Sequence, residues 1–398
     1  MTITNYKNFN LFDGEHEDLQ QKASFMVDEE TGRLVEDGRL PNKTVDLHDQ
    51  YVMPGLINAH THMMMNPTSN KLDFLSETEV AFNAIRNLQD LLASGVTYVR
   101  DCGCAFNTDL KLKALEEAGQ FVGPGIVPSG RPFSMIGGHG DSREGDDGEV
   151  NFSYIVSSPD EMRKSVREAF KQGAKNIKVM ATGGVMSSTD QVDDTELSVA
   201  EIRVAVEEAH TKHMTVAAHA QGHQGIQNAL DAGVDSIEHG IYIDEKQAAF
   251  MREHNIYLVP TLNAPACISK YGKDKVPAYM FAKNEQVTAA FYENVAMALR
   301  QGVKFVVGTD AGTPFNSFKT GTWEEMALMV HKINATPYQT LLGATKYAAE
   351  LLKIDQDYGS LATGKFADFL VLKENPLEQI EAVQQVDKAV YKKGHRVA

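Results

Sequence analysis

Short apolar runs alternate with longer amphipathic stretches through the middle of the chain. The runs are rich in aliphatic and β-branched residues, as buried parallel strands are, and the stretches between them have helical spacing. One of these stretches opens with a capping box, Ser198-x-x-Glu201, which predicts a helix through His210. The pattern predicts eight strands, at 55–58, 96–100, 125–128, 176–179, 215–218, 236–237, 257–260 and 305–307.

Eight strand–helix repeats in roughly 300 residues indicate an α/β fold of the (β/α)8 TIM barrel type, here over residues 55–358. The two ends of the chain differ from this middle, because short alternating segments are separated there by turn signals such as Asp13-Gly14 and Thr31-Gly32. Residues 1–54 plus 359–398 therefore predict a small discontinuous β-sandwich domain formed by both termini. A doubly wound open sheet is the alternative, but no Gly-rich dinucleotide fingerprint follows the first strand.

Composition narrows the class of protein further. The formal net charge is −16, and no cluster of Lys and Arg suited to a phosphate backbone occurs, so nucleic acid is not expected as a partner. Three cysteines form too sparse a set for a disulfide framework. No apolar run approaches the ~18 residues of a membrane helix, and the N-terminus does not resemble a secretory signal. We expect a cytoplasmic protein that does not associate with a membrane.

Side chains suited to metal binding occupy the ends of four predicted strands. In His60-x-His62 both imidazoles face the same way, because positions i and i+2 of an extended chain share a side. His219 and His239 follow the fifth and sixth strands, and Asp310 follows the eighth. Catalytic residues of such barrels gather at the carboxyl ends of the strands. The sequence therefore predicts that these five side chains meet at one metal centre.

Lys178 is a further candidate, because it lies in an otherwise apolar strand and its side chain should point inward. An isolated buried ammonium is costly and tends to lose its proton. A neutral amine beside two divalent cations can take up CO₂ to form a carbamate, an anion able to bridge them. A lysine whose long stem reaches the barrel rim is the alternative interpretation.

These residues resemble the amidohydrolase superfamily over nearly the whole chain, including PGLINAHTH at 54–62 and GSLATGKFAD at 359–368. Within it, GGHGD at 137–141 and IEHG at 237–240 resemble the imidazolonepropionase-like group, which includes Xaa-Pro and Xaa-Arg dipeptidases. The resemblance implies two divalent metal ions. Zinc is the first expectation, since imidazole and carboxylate ligands suit it. The implied ligands are His60, His62 and Asp310 for one ion, His219 and His239 for the other, and carboxylated Lys178 as the bridge.

The resemblance also implies a reaction, the cleavage of an amide bond in a dipeptide or an N-acyl amino acid by a metal-bridging hydroxide. Asp310 would orient the attacking group and carry its proton to the leaving nitrogen. His139 would contact the substrate, and Gln221 and Tyr242 are predicted as further substrate-binding residues. Several dipeptidase relatives carry a tyrosine at the place of Gln221. A homo-oligomer acting on a small molecule or peptide is expected.

Acidic residues in two predicted loops raise the question of substrate charge. Residues 143–149 follow the third strand, and Asp190, Asp193, Asp194 and Glu196 follow the fourth. These loops would lie at the active-site face, so they give the hypothesis of a basic C-terminal side chain in the substrate. A solvated acidic rim is the alternative.

Two other functions remain open from the sequence. Hydrolysis of a cyclic amide, as in imidazolonepropionases, or a deamination would often need one metal and no bridging lysine. A non-catalytic barrel that serves as a scaffold is less favoured, because such proteins typically lose metal ligands and all six positions here carry suitable side chains.

Overall fold

A computed structural model describes residues 2–36, 38, 40–68, 75–144 and 150–398, so residues 145–149 of the first acidic loop lie outside the described part. The strands are β1 (Ile3–Leu11), β2 (Gln20–Asp28), β3 (Arg33–Val35), β4 (Lys43–Asp46), β5 (Tyr51–Pro54), β6 (Leu56–Thr61), β7 (Val96–Asp101), β8 (Gly125–Val127), β9 (Phe133–Ser134), β10 (Arg143–Glu144), β11 (Val150–Asn151), β12 (Tyr154–Ile155), β13 (Asn176–Met180), β14 (Thr215–Ala220), β15 (Ser236–His239), β16 (Tyr257–Val259), β17 (Phe369–Leu372), β18 (Ala389–Lys392) and β19 (His395–Arg396). The helices are α1 (Glu77–Ser94), α2 (Thr108–Glu117), α3 (Pro159–Gln172), α4 (Val199–His210), α5 (His223–Ala232), α6 (Glu245–His254), α7 (Asn263–Tyr271), α8 (Ala278–Arg300), α9 (Gly321–Ile333), α10 (Pro337–Gly343) and α11 (Lys346–Leu351).

Strands from the two ends of the chain pair in one sheet, in the order β19-β18-β17-β5-β1-β2-β3, with β4 beside β1. The antiparallel pairing of β17 with β5 joins the C-terminal segment to the N-terminal one. Aromatic side chains fill the core of this sheet. Phe369 stacks on Tyr391 at 4.3 Å between ring centroids, and Tyr6 meets Phe369 edge-on at 5.3 Å. The β-rich termini predicted from the sequence therefore pair with each other, while their description as a sandwich stays a prediction.

Parallel strands flanked by helices form the middle of the chain, which confirms the α/β class. β6, β7 and β8 form one parallel sheet, and β9 with β13 to β16 belongs to a second. Helix α4 begins and ends where the sequence predicts, at Val199 and His210. Ser198 and Glu201 form the predicted capping box of α4, and Gly95, in the left-handed conformation, ends α1 one residue before β7.

Residues 304–310 run between the two parallel sheets. The Val306 amide donates to the carbonyl of Leu258 in β16, and on the other side the Ala59 amide of β6 donates to the carbonyl of Val307. The predicted strand 305–307 makes only an isolated bridge, at Phe305. The ladder is interrupted because the Val307 amide donates to the carbonyl of Gly343, at the end of α10, instead of to a neighbouring strand.

Five strands, β6, β7, β13, β14 and β15, extend further than predicted, and three of these extensions include a histidine of the predicted metal centre. β6 continues through His60, β14 through His219, and β15 ends on His239. The extended backbone fixes the direction of the His60 and His219 imidazoles, so these two side chains belong to strands rather than to the loops that follow. His239 is the last residue of β15 and has a left-handed backbone conformation. In the described part of the chain, no helix is both long and apolar enough to cross a membrane.

We predict that Phe369→Ala lowers the free energy of unfolding by about 3–5 kcal/mol, because the fully buried ring leaves a cavity among the aromatic side chains of the terminal sheet. Urea unfolding followed by circular dichroism measures this loss. Leu40→Ala is the control, since Leu40 is 93% exposed and its truncation should change stability little. Equal stability of the two variants would contradict the assigned core.

Candidate active site

The predicted metal-centre side chains line one cavity of about 290 Å³ at the carboxyl ends of the parallel strands. All six are on its wall: His60, His62, Lys178, His219, His239 and Asp310. His139 and Gln221 line the same cavity. Tyr242 lines a different cavity, beside Asp193 and His223, so its role in substrate binding stays a prediction.

One ring nitrogen of each of the four histidines is held by a fixed partner. His60 Nδ1 lies 2.6 Å from a carboxylate oxygen of Glu238, and His62 Nδ1 lies 3.1 Å from the Gly103 carbonyl. His219 Nε2 lies 3.1 Å from the Gly183 carbonyl, and His239 Nδ1 lies 2.7 Å from Thr261 Oγ1. The hydrogen bonds of these four nitrogens leave the second nitrogen of every ring for another ligand. Histidines that bind a metal are oriented in this way.

The remaining nitrogens of His60 and His62 converge on Asp310. His60 Nε2 and His62 Nε2 lie 3.4 and 3.2 Å from Asp310 Oδ1, and ligand atoms of these three residues all lie within 4.8 Å of one another. The ring centroids of His219 and His239 lie 4.7 Å apart, and the ring centroids of His239 and His60 lie 5.2 Å apart. The geometry therefore places His219 and His239 next to the group of His60, His62 and Asp310.

Lys178 lies between these groups, fully buried, with Nζ 3.5 Å from His60 Nε2. The inward direction predicted from its apolar strand agrees with this position. The Lys178 stem does not reach the rim, because β13 is covered on both faces.

The pKa shifts of His219, His239 and Asp310 favour the forms of these side chains that can bind a metal. Burial, together with the neighbouring His139 and His239, lowers the pKa of His219 well below its usual range. Burial also lowers that of His239, so both rings are neutral and keep a lone pair. Burial opposes the ionisation of Asp310, but hydrogen bonds from His60 and His62 outweigh it and hold the pKa of that carboxyl well below its usual range.

A donor set of imidazole nitrogens and a carboxylate fits zinc or a similar divalent ion. A second group of potential ligands, His60, Cys102 and Glu238, does not fit a metal as well. Burial raises the pKa of the Cys102 thiol to about 12, so it is not a thiolate, and the Glu238 carboxylate is already paired with Arg100.

Arg100 and Glu238 form a fully buried ion pair behind His60, at 2.8 Å. Burial opposes the charge of Glu238, but Arg100 and His60 outweigh it and lower the pKa of that carboxyl. Arg100 also donates to the Ala59 carbonyl at 2.6 Å and to Ser236 Oγ at 3.2 Å. The pair was not predicted, although Arg100 shows the same signal as Lys178, a cation at the end of an apolar run.

His139 reaches the cavity from the loop after β9. Its Nδ1 lies 3.1 Å from Asp190, and its ring stacks on His219 at 4.4 Å between centroids. Lys283 of α8 also contacts Asp190. Its Nζ lies 3.3 Å from Asp190 Oδ1 and donates to the Ser187 carbonyl at 2.8 Å. Burial alone would raise the pKa of Asp190, but hydrogen bonds from His139 and Gly184 lower it to about 2.

Three residues of the site have a left-handed backbone conformation. His239, Thr261 and Asp310 have φ values of 70°, 55° and 59°, a region that side chains other than glycine rarely adopt. Thr261 is β-branched, so its strain is the most costly, and its hydroxyl is the partner of His239. Such strain is maintained where surrounding structure fixes a functional geometry.

Comparison with known protein families identifies the family of the chain. The model described as "Amidohydrolase family" matches residues 51–397. The chain belongs to the amidohydrolase family. The resemblance predicted from the motifs is thereby confirmed. Members of this family are hydrolases that act on C–N bonds and typically use metal ions.

Individual relatives of this amidohydrolase are similar over most of its length. Ochratoxinase from Aspergillus niger is 31% identical in an alignment of 407 positions. The alignment covers 94% of this chain and 82% of that protein. The crystal structure of a Xaa-Pro dipeptidase with bound methionine in the active site has a TM-score of 0.90, 29% identity and full coverage of both chains. A prolidase complexed with N-methylphosphonate-L-proline has a TM-score of 0.89 and 31% identity, over 100% of this chain and 99% of that one.

We predict that Arg100→Met destabilises the amidohydrolase by about 3–5 kcal/mol, because it leaves the Glu238 carboxylate buried without its ion pair. Chemical unfolding near pH 7 gives the value. Arg163→Met is the matched control, since Arg163 pairs with Glu208 at the surface and should contribute no more than about 1 kcal/mol. A loss as small as that of the control would show that the buried pair does not support the site.

Proposed function

We propose that this amidohydrolase is a binuclear metal-dependent enzyme that hydrolyses the amide bond of a dipeptide or an N-acyl amino acid. The observation that carries the proposal is the arrangement of the four histidines, each with one nitrogen held by a fixed partner, on the wall of the cavity that Asp310 and Lys178 also line. The similarity to proteins named Xaa-Pro dipeptidase and prolidase supports this class of substrate.

His60, His62 and Asp310 would hold one ion, His219 and His239 the other, and Lys178 would bridge the two as its carbamate. Zinc is the metal we propose, on the grounds of the donor set. Bound there, two such ions would polarise an amide carbonyl and lower the pKa of a water molecule toward neutrality.

Asp310 is the proton carrier in this proposal. The depressed pKa of its carboxyl keeps Asp310 ionised, so a carboxylate oxygen is available to take a proton from the attacking water. Asp310 lines both the main cavity and a smaller cavity beside it, a position from which the proton can be delivered to the leaving nitrogen. The leaving group then departs as a neutral amine.

His139 is the electrophilic partner in this proposal. Its Nδ1 donates to the Asp190 carboxylate, which fixes the ring. In the imidazolium form Nε2 also carries a hydrogen, which it can donate to a carbonyl or carboxylate oxygen of the substrate. The loop hydrogen bond between the His139 amide and Glu196, 2.7 Å long, keeps the backbone in place while substrate binds.

The acidic loops give little support to a basic substrate. Asp190 is already bonded to His139 and Lys283, and burial raises the pKa of Glu196 to about 8, so that this carboxyl is largely neutral at pH 7. We therefore propose a neutral substrate side chain and retain the basic one as an outcome of the test.

We further propose that the parallel strands close into a (β/α)8 barrel over residues 55–358, with residues 1–54 and 359–398 as the terminal domain. Hydrogen bonds of residues 304–310 to both β6 and β16 support closure on one side. Hydrogen bonds from the amides of Lys175 and Asn176 to the Pro128 carbonyl support it on the other.

A library of dipeptides, N-acyl amino acids and cyclic amides tests the function. We expect the metal-loaded protein to release amino acids from the first two classes, to lose this activity after chelation and to regain it with zinc. Turnover of cyclic amides alone, or release of ammonia, would replace the proposal by one of the alternative reactions.

Asp310→Asn should lower kcat by at least about 100-fold, because the amide cannot accept and return the proton. Steady-state kinetics on the best library substrate, with metal content measured on the same sample, isolates this effect. Asp231→Asn, at an exposed position of α5, is the control and should retain wild-type kcat. Near-normal turnover by metal-loaded Asp310→Asn would remove the proton-carrier role.

A further inference from the structure

A small side cavity of about 40 Å³ opens from the main one, between β14, β15 and helices α7 and α8. The two cavities share the side chains of Met186, Gln221, His239, Asp310 and Thr313. A group held at the metal centre can therefore extend directly into the side cavity. Apolar side chains form its inner wall: Val185, Ile241, Ile268, Val287 and Phe291.

Two amide oxygens in this apolar wall have no hydrogen-bond partner in the described part of the chain. Asn284 is completely buried, and its Nδ2 donates to the Pro265 carbonyl at 3.2 Å and to Ser269 Oγ at 2.9 Å. These bonds fix the orientation of the amide and leave Oδ1 without a donor. Oε1 of Gln221, a residue that is 7% exposed, is unpartnered as well.

An unpaired acceptor in an apolar wall requires an explanation, since nearly all buried polar groups in folded proteins are hydrogen-bonded. Leucine has nearly the same shape as asparagine and would fit an apolar wall without leaving an unpaired oxygen. Asn284 in the middle of α8 is therefore costly to the free protein. A ligand that supplies an N–H or O–H donor removes this cost on binding.

We propose that the side cavity is the subsite for one side chain of the substrate, a short uncharged group that donates a hydrogen bond to Asn284 Oδ1 or Gln221 Oε1. This inference rests on the proposed function. A volume of 40 Å³ holds about three non-hydrogen atoms, at the 10–15 Å³ that one water-sized sphere requires. Among the standard amino acids, the side chain of threonine has this size and carries a donor.

The same wall disfavours the other classes of side chain. Among the described residues that line the side cavity, Asp310 is the one carboxylate, and it is engaged with His60 and His62, so a basic group would be buried without a counter-charge. Valine has the size of threonine but leaves both oxygens unpaired. Aromatic side chains exceed the space. Water molecules that satisfy the two oxygens without any ligand are the opposing explanation.

Matched substrates test the subsite. We compare kcat/KM for Ala-Thr with Ala-Val, and for Thr-Ala with Val-Ala, because the isosteric pairs differ in a methyl and a hydroxyl group alone. At the position that occupies the side cavity, the wild-type enzyme should prefer threonine by about tenfold or more. Asn284→Leu should abolish or reverse this preference, and Gln221→Met should weaken it. Asn83→Leu, on α1, should leave the ratio unchanged.

Binding measurements separate failure of the subsite from failure of the proposed function. Titration calorimetry of the metal-loaded protein with free threonine and free valine should show the same preference, lost in Asn284→Leu. Circular dichroism and metal content establish that each variant is folded. If dipeptides are cleaved but the Thr/Val ratio is near one at both positions and in every variant, the cavity holds water only and the subsite is wrong. If no dipeptide is cleaved, calorimetry alone decides, and equal binding of the two amino acids overturns the inference.

Discussion

The buried ion pair between Arg100 and Glu238 is the interaction on which the rest of the site depends. Arg100 extends from β7 and donates to the Ala59 carbonyl of β6 and to the Ser236 hydroxyl of β15, so one side chain joins strands of both parallel sheets. Glu238, neutralised by this cation, accepts the hydrogen bond that orients His60. An unpaired charge at this depth would be strongly destabilising, so the strands and His60, a candidate metal ligand, are positioned by the same pair.

Helix α8 has a comparable role on the substrate side of the cavity. Lys283 holds the loop after β13 through the carbonyls of Gly184 and Ser187 and through Asp190, the partner of His139. The next residue, Asn284, brings an unpaired oxygen to the side cavity. Two adjacent residues of one helix are thus engaged with the two regions that we assign to the substrate, one by positioning a loop and one by offering an acceptor.

The ligand set could be predicted from the sequence, because strand ends of a parallel sheet meet at one edge and each candidate could be placed there from local pattern alone. The positions of His60, His219 and Asp310 at strand ends could be predicted without knowing which residues they contact. Arg100 and Glu238 are 138 positions apart, and a charge in an apolar strand indicates that a partner exists without identifying it. The unpaired oxygen of Asn284 could not be predicted from the sequence either, because it depends on every neighbour of that side chain. Segment 305–307 was predicted as a full strand because the pattern could not show that α10 takes its hydrogen bond.

The number of metal ions bound per chain tests the central claim most directly. Elemental analysis of protein purified without chelators and supplied with zinc should give close to two equivalents per chain. Lys178→Met should reduce this number, because the bridging ligand is lost while the histidines remain. One equivalent or less in the wild-type protein, unchanged by the Lys178→Met substitution, would contradict the binuclear centre.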